Sequence, residues 1–223
     1  MALTNEGHKR MRLAELSEAS QVSIPTIKYY LREGLLAPGR RVNATQAEYD
    51  ESHLRRLRLV RAMIQVGRIP VVTVREVLRQ VDDDSLGRSI RLGAALWALP
   101  RAEDPDPADP QVRGATAEVD RMLAEVGWDH AAKIGQLSPV YRELVDAVAS
   151  LGRLGYPVDA AELAPYARLM EQTATHDLDR MEQQDGEVAQ VEAAVAAAVL
   201  FEPVLRCLRR LAQEQEAIRR YGL

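Results

Sequence analysis

Eighteen residues, Val22 to Gly39 (VSIPTIKYYLREGLLAPG), constrain this chain more than any other segment. They predict a short helix that carries two adjacent tyrosines, stops at Gly34, and passes through Leu35-Leu36 into a Pro38-Gly39 turn. Ser23 is placed to cap it, because a serine hydroxyl accepts from first-turn amides, and Pro25 is tolerated only within that turn. At 100° per residue, Ile24, Ile27 and Leu31 share one face, while Pro25, Thr26 and Tyr29 point the other way. Lys28 and Tyr30 lie on the flanks. A helix this short with Thr, Lys and Tyr outward presents donors and aromatic edges suited to a groove. Upstream, Arg12 to Ala19 forms a second short amphipathic helix with Leu13 and Leu16 inward, followed by the brief link Ser20–Ser23. Two short helices joined this tightly make a helix-turn-helix, whose second helix enters the major groove of DNA.

The charge distribution agrees. The formal net charge is −4, yet residues 1–80 carry 14 Lys and Arg against 8 Asp and Glu, whereas the remainder carries 15 against 25. A basic head on an acidic body suits a reader of double-stranded DNA that must not stick elsewhere. No apolar run approaches the roughly 20 residues of a membrane span, and the N-terminus lacks the apolar core of a signal peptide. No membrane partner is expected, and the expected location is cytoplasmic, at the nucleoid. Cys207 is the only cysteine, which excludes an intrachain disulfide and a thiolate metal cluster. Its place among Val204, Leu205 and Leu208 predicts a buried packing role rather than a reactive thiol. His8, His53, His130 and His176 lack ligand spacing, so neither metal nor cofactor is expected. No phosphate loop, zinc-protease motif or nucleophile elbow is present, and His176-Asp177 reads as a chance neighbour pair; an enzyme is not expected.

Beyond the turn, a third helix is predicted from about Asp50 to Val66, with Leu54, Leu57, Val60 and Ile64 inward and Arg55, Arg56, Arg58 and Arg61 around the outside. Gly67 ends it, and Thr73 is placed to cap a fourth helix over Val74–Val81. A further helix is expected over Leu86–Leu99. The acidic, proline-rich Pro100–Pro110 reads as a linker. Helical patterns then cover Ala115–Val126, Pro139–Leu151 with Ser138 as cap, and about Asp159–Met181. From Glu187 a hairpin is expected, its first helix carrying Val188, Val191, Val195 and Ala198. Pro203 interrupts, and Val204, Leu208, Leu211 and Ile218 mark the second helix. This hairpin could face a second copy or the chain's own bundle. The fold class is therefore mainly α, in three parts. Residues 1–82 form a winged helix, 83–110 a connecting helix and linker, and 111–223 an all-helical dimerisation, effector or partner domain.

Helix, Val-Ser turn, Thr-Ile-Lys-Tyr-Tyr, Glu-Gly-Leu-Leu, basic loop and Arg-rich helix, taken together over residues 11–81, resemble the MerR family of bacterial winged-helix transcription regulators. The chain departs from that pattern at Leu31, where the family usually has Glu, and in the wing Arg40–Tyr49, which lacks the usual Gly-Gly-Tyr-Arg-like tip. The resemblance implies a homodimer on a pseudopalindromic promoter, acting on RNA polymerase indirectly through DNA shape. The candidate DNA-binding residues are Arg12, Ser23, Thr26, Lys28, Tyr29, Tyr30, Arg40, Arg41, Arg55 and Arg56, with Asn43, Thr45 and Gln46 as possible donors in the wing. Tyr30 has an alternative place, packed between the second and third helices. For the C-terminal domain two roles stand open: a small-molecule effector site, its chemistry unknown, or an adaptor surface for a protein partner. Trp97, Trp128, Tyr141, Tyr156 and Tyr166 would line such a site or anchor the core.

Overall fold

The computed structural model describes residues 10–43, 46–101 and 103–222. Thr45 therefore lies outside the described residues. Among the described residues the regular structure is helical apart from one small hairpin, and the residues fall into two compact units. One joins the residues up to Leu99 with those from Met181 onward, and the other is Pro100–Arg180.

The first unit begins with α1 (Leu13–Ser20) and α2 (Ile24–Arg32). Ser23 caps α2 as its sequence position requires, its hydroxyl accepting from the Thr26 amide at 3.3 Å. Gly34, at φ +72°, breaks the helix where a side chain would be strained. The strands β1 (Arg40–Arg41) and β2 (Ala47–Glu48) pair antiparallel, Arg40 opposite Glu48, and form the wing. Gly39 admits no larger residue, because a Cβ there would lie 2.7 Å from the Glu48 carbonyl oxygen and 2.8 Å from the Tyr49 ring. Then α3 (Glu51–Arg61) runs into a π-turn at Ala62–Val66 before Gly67. Two helices follow, α4 (Val71–Asp82) and α5 (Arg88–Trp97). Here α4 starts earlier than Thr73 suggested, with Pro70 at the cap position and no side-chain hydrogen bond to the first-turn amides.

The last helix, α10 (Glu187–Tyr221), runs unbroken through Pro203, so the expected hairpin is a single 35-residue helix. A proline removes one amide donor, but the flanking Ala- and Leu-rich sequence favours helix strongly enough to continue. Its buried face is Ala189, Val191, Glu192, Val195 and Val199, rather than the face containing Val188 and Ala198. That face completes the core of the first unit, where Val191 and Val195 join Leu16, Ile27, Leu57, Val60 and Val77. Residues 181–223 thus cluster with the winged helix and not with 111–180, as the division at residue 110 had them. By length and composition α10 could cross a membrane, contrary to the expectation that no run approached this; its buried face is nevertheless occupied by that core. Cys207 is exposed, not buried, because α10 beyond Leu200 is uncovered in this unit.

The second unit contains α6 (Pro110–Val126), α7 (Asp129–Ile134), α8 (Pro139–Arg153) and α9 (Ala160–Glu182) as far as Arg180. Val112, Ala115, Val119 and Met122 of α6 meet Tyr141, Val145 and Val148 of α8, with Ala164 and Ala167 of α9 closing the core. Ser138 caps α8 through the Tyr141 amide. The Tyr141 hydroxyl donates to Asp120 at 2.6 Å, and burial first, then that carboxylate, push its pKa well above the usual phenol value.

Candidate nucleic-acid interface

The turn between α1 and α2 is tightly determined. Gln21 takes φ +53°, the Ser17 hydroxyl donates to the Val22 carbonyl at 2.6 Å, and the Ser20 hydroxyl donates to the Leu16 carbonyl at 2.6 Å. Ile27 is fully buried beneath α2, with Leu31 packed partly against the same core. The opposite face carries Pro25, Lys28, Tyr29 and Arg32, all exposed. Thr26 sits beside them, its hydroxyl 2.8 Å from that of Ser23. Lys28, Arg32 and Arg41 have no acidic partner among the described residues. Arg12, Leu13, Ile24 and Lys28 face Val42, Gln46 and Glu48 of the wing across a concavity of about 470 Å³. Backbone-approach space edged by uncompensated cations is what a phosphate chain needs.

Several candidate residues are placed differently from their expected role. Tyr30 is only 6% exposed; it packs in the core, and burial foremost raises its hydroxyl pKa, which the nearby Arg61 charge partly offsets. Its ring lies 5.9 Å from that of Tyr29, which alone of the pair reaches solvent. Arg56 is not available to phosphate. Its Nε donates to Glu192 of α10 at 2.6 Å, and its other nitrogens bind Asp82. Arg55 lies with its Nε 3.7 Å from the same Glu192, buried and without a hydrogen bond. Arg40 donates to Glu48 at 2.6 Å, across the wing, where Arg10 also reaches that carboxylate. The hydrogen bond from Arg40, ahead of the opposing effect of burial, holds the Glu48 carboxyl below the usual range. Arg12 is exposed at the start of α1, and Gln46 is held to Asn43 within the wing.

Arg32 is exposed one turn beyond Lys28, on the same face at i+4, and the helical wheel shows that placement although it is not among the candidates above. Nor do the four candidate aromatic residues of the second unit converge on a site. Tyr156 and Tyr166 are exposed, Tyr141 is core, Trp128 packs against the second unit's core, and Trp97 lies on α5.

Comparison with known proteins fixes what this geometry belongs to. Residues 11–81 match the model of the MerR HTH family regulatory proteins. The chain belongs to the MerR family. The crystal structure of a Streptomyces coelicolor A3(2) protein, SCO5550, assigned as a transcriptional regulator, superposes with a TM-score of 0.83 at 62% identity, covering 96% of this chain and 99% of that one. This MerR-family chain is also 31% identical to the nodulation protein NolA of Bradyrhizobium elkanii over 67 residues, and 34% identical to a ZntR homolog of Haemophilus influenzae, an HTH-type transcriptional regulator, over 50 residues. These matches take in 30% and 22% of this chain and 31% and 37% of those proteins, so the chain spans about a third of the length of the curated relatives it matches. The family is one of regulators rather than enzymes, and its helix-turn-helix is the DNA-binding element.

Proposed function

We propose that this protein regulates transcription as a homodimer on a pseudopalindromic promoter site, with α2 of each protomer in the major groove. The observation that carries the reading is the Ser23-capped α2, which exposes Lys28, Tyr29 and Arg32 on one face with Thr26 next to them, while Arg41 is exposed on the wing. Support for the dimer comes from the uncovered half of α10. Val204, Leu208, Leu211 and Ile218 recur at spacings of four, three and seven, a heptad seam, and Leu208 and Leu211 are 55% and 59% exposed. A second copy of the same helix is the occupant such a seam matches. Two recognition helices on one rigid dimer would read half-sites about one helical turn apart and could distort the DNA between them, acting on polymerase through promoter shape.

An effector role for the second unit finds support in a cavity of about 360 Å³ lined by Gln111, Glu118, Val148, Gly152, Asp159 and Glu162. If the unit is instead an adaptor, a partner protein will co-purify and small molecules will not shift its melting. The regulator reading is tested by in-vitro selection of duplexes on the wild-type protein, followed by anisotropy on the enriched site. An enriched inverted repeat, bound with a salt slope that falls by about one on Lys28→Ala, supports it. Failure to enrich any repeat sinks it.

A further inference from the structure

Two arginines from different helices hold the helix-turn-helix at two points, the end of α1 just before the turn and the C-cap of α2. From the last turn of α3, Arg61 donates through one terminal nitrogen to the Ser20 carbonyl at 2.7 Å. Ser20 is the final residue of α1, so this carbonyl belongs to the orphaned, negatively polarised helix end, and a guanidinium there answers both the missing hydrogen bond and the dipole. The same guanidinium stands near the buried Tyr30 of α2. At the far end, Arg75 of α4 donates from Nε to the Glu33 carbonyl at 2.9 Å and binds the Glu33 carboxylate with a second nitrogen. Glu33 is the C-cap of α2. Between these points the recognition helix is tied to the scaffold mainly by apolar contact of Ile27, Tyr30 and Leu31, which resists separation but not sliding or rolling.

We infer that Arg61 and Arg75 are positioning residues for DNA recognition: a pair of clamps, one at the α1 end that leads into the turn and one at the C-cap of α2, that set the rotation and tilt with which α2 meets the groove. Apolar packing is non-directional, whereas a guanidinium held to a named carbonyl fixes an orientation. Base readout depends on that orientation and phosphate attraction much less. The clamps therefore act on specificity more than on general affinity. The inference rests on the DNA-binding reading above.

The test uses the full-length protein with Arg61→Met, Arg61→Lys and Arg75→Met. Anisotropy is measured on the duplex enriched by the wild type and on a scrambled duplex of the same length, across a salt series. Each protein is first titrated at stoichiometric DNA so that only the folded, active fraction is counted. The clamps predict that Arg61→Met loses about tenfold on the enriched site, the size of one charge-assisted hydrogen bond. Binding to the scrambled duplex and the salt slope should stay the same, and Arg61→Lys, which keeps a charge and a donor, should recover part of the loss. Arg75→Met, at a more exposed position that does not threaten folding, should show the same pattern in smaller measure. An equal loss on both duplexes with a slope reduced by about one would make these residues phosphate contacts and overturn the inference. So would an unchanged ratio of enriched to scrambled affinity in Arg75→Met together with any folded Arg61 variant. Failure of the wild type to enrich a site would instead overturn the DNA-binding reading itself, so the two failures are distinct.

Discussion

Glu192 should be the most costly single polar side chain to remove from the first unit. It is 7% exposed at the side chain and accepts from Arg56 Nε at 2.6 Å, while Arg56 is itself only 11% exposed. Breaking a buried ion pair from one side typically costs about 3–5 kcal/mol, because the remaining charge stays desolvated without its partner. Arg56 keeps Asp82, a 54% exposed partner, so its charge is not left wholly alone. Arg55, however, has its Nε buried without a hydrogen bond and loses its nearest carboxylate. The lower end of the range, about 3 kcal/mol for Glu192→Ala, follows. In a chain of this size that corresponds to a fall of roughly 6–12 °C in the transition that reports the first unit. Calorimetry on the full chain checks this, with Asp82→Asn as the control, expected to cost no more than about 1 kcal/mol for so exposed a partner. A double-mutant cycle of Glu192→Ala with Arg56→Met should recover much of the loss, since both ends of the pair are then gone. A Glu192→Ala cost below about 0.5 kcal/mol would refute the reasoning, and would mean that α10 does not sit on α3 in solution.

Three further outcomes are expected. Leu208→Arg with Leu211→Arg should turn the proposed homodimer into a monomer by light scattering while leaving the melting of a monomeric core intact, because both positions are exposed within one chain; a mass unchanged from wild type would remove α10 as the seam. Gly67→Ala should destabilise by about 1–3 kcal/mol, because its Cβ would stand 2.7 Å from Val199 Cγ1 and 2.9 Å from the Met63 carbonyl oxygen. Adding Val199→Ala should relieve only the first of these clashes, and a neutral Gly67→Ala in urea denaturation would count against the close approach of α10. Burial works to raise the Asp50 carboxyl, but hydrogen bonds from Ser52 and His53 outweigh it and hold its pKa at about 2. A folded-state pKa below the unfolded value contributes stability that is present above pH 4 and is lost as pH falls from about 4 to about 2. Asp50→Asn should flatten the stability profile across that window, and an unchanged profile would show that the cap is not the group titrating there.

What the sequence disclosed was local. Ser23, Gly34, Ser138 and the face holding Ile24, Ile27 and Leu31 depend on neighbours within a turn or two, so spacing and side-chain chemistry were enough to place them. Arg56 departs from its expected phosphate role for the opposite reason. It lies on the outside of α3 by any wheel, and the carboxylate that claims it is 136 residues further along the chain. Tyr30 shows the intermediate case: its flank position fitted both DNA and core, and only the placement of α3 decides for core. Pro203 misled through too strict a rule, since a proline ends a helix only when the neighbouring sequence does not favour continuing it. The clamp role of Arg61 and Arg75 is invisible because it runs through the backbone carbonyls of Ser20 and Glu33, with the Glu33 carboxylate added only by the fold, and sequence does not display which carbonyls are orphaned in space.

The return of α10 has a consequence for any attempt to isolate the reading head. A fragment ending at Leu99 keeps every element from α1 to α5 but lacks Val191, Val195 and Val199, which are buried in its core. At about 1.5 kcal/mol or more for each buried valine, the loss is roughly 4–5 kcal/mol before Glu192 is considered. That equals the lower end of the whole stability of a typical domain. The apolar faces of α3, α4 and α5 that met those valines would also be left to water, a patch that favours association. Residues 1–99 should therefore be soluble only poorly and bind a selected duplex with a reduced active fraction, whereas 1–99 supplied with a separate peptide covering 181–223 should recover both. The comparison is a stoichiometric anisotropy titration with and without the peptide. Full activity of residues 1–99 alone would mean that α10 is a passenger on the first unit and that Val191, Val195 and Val199 are not needed by its core.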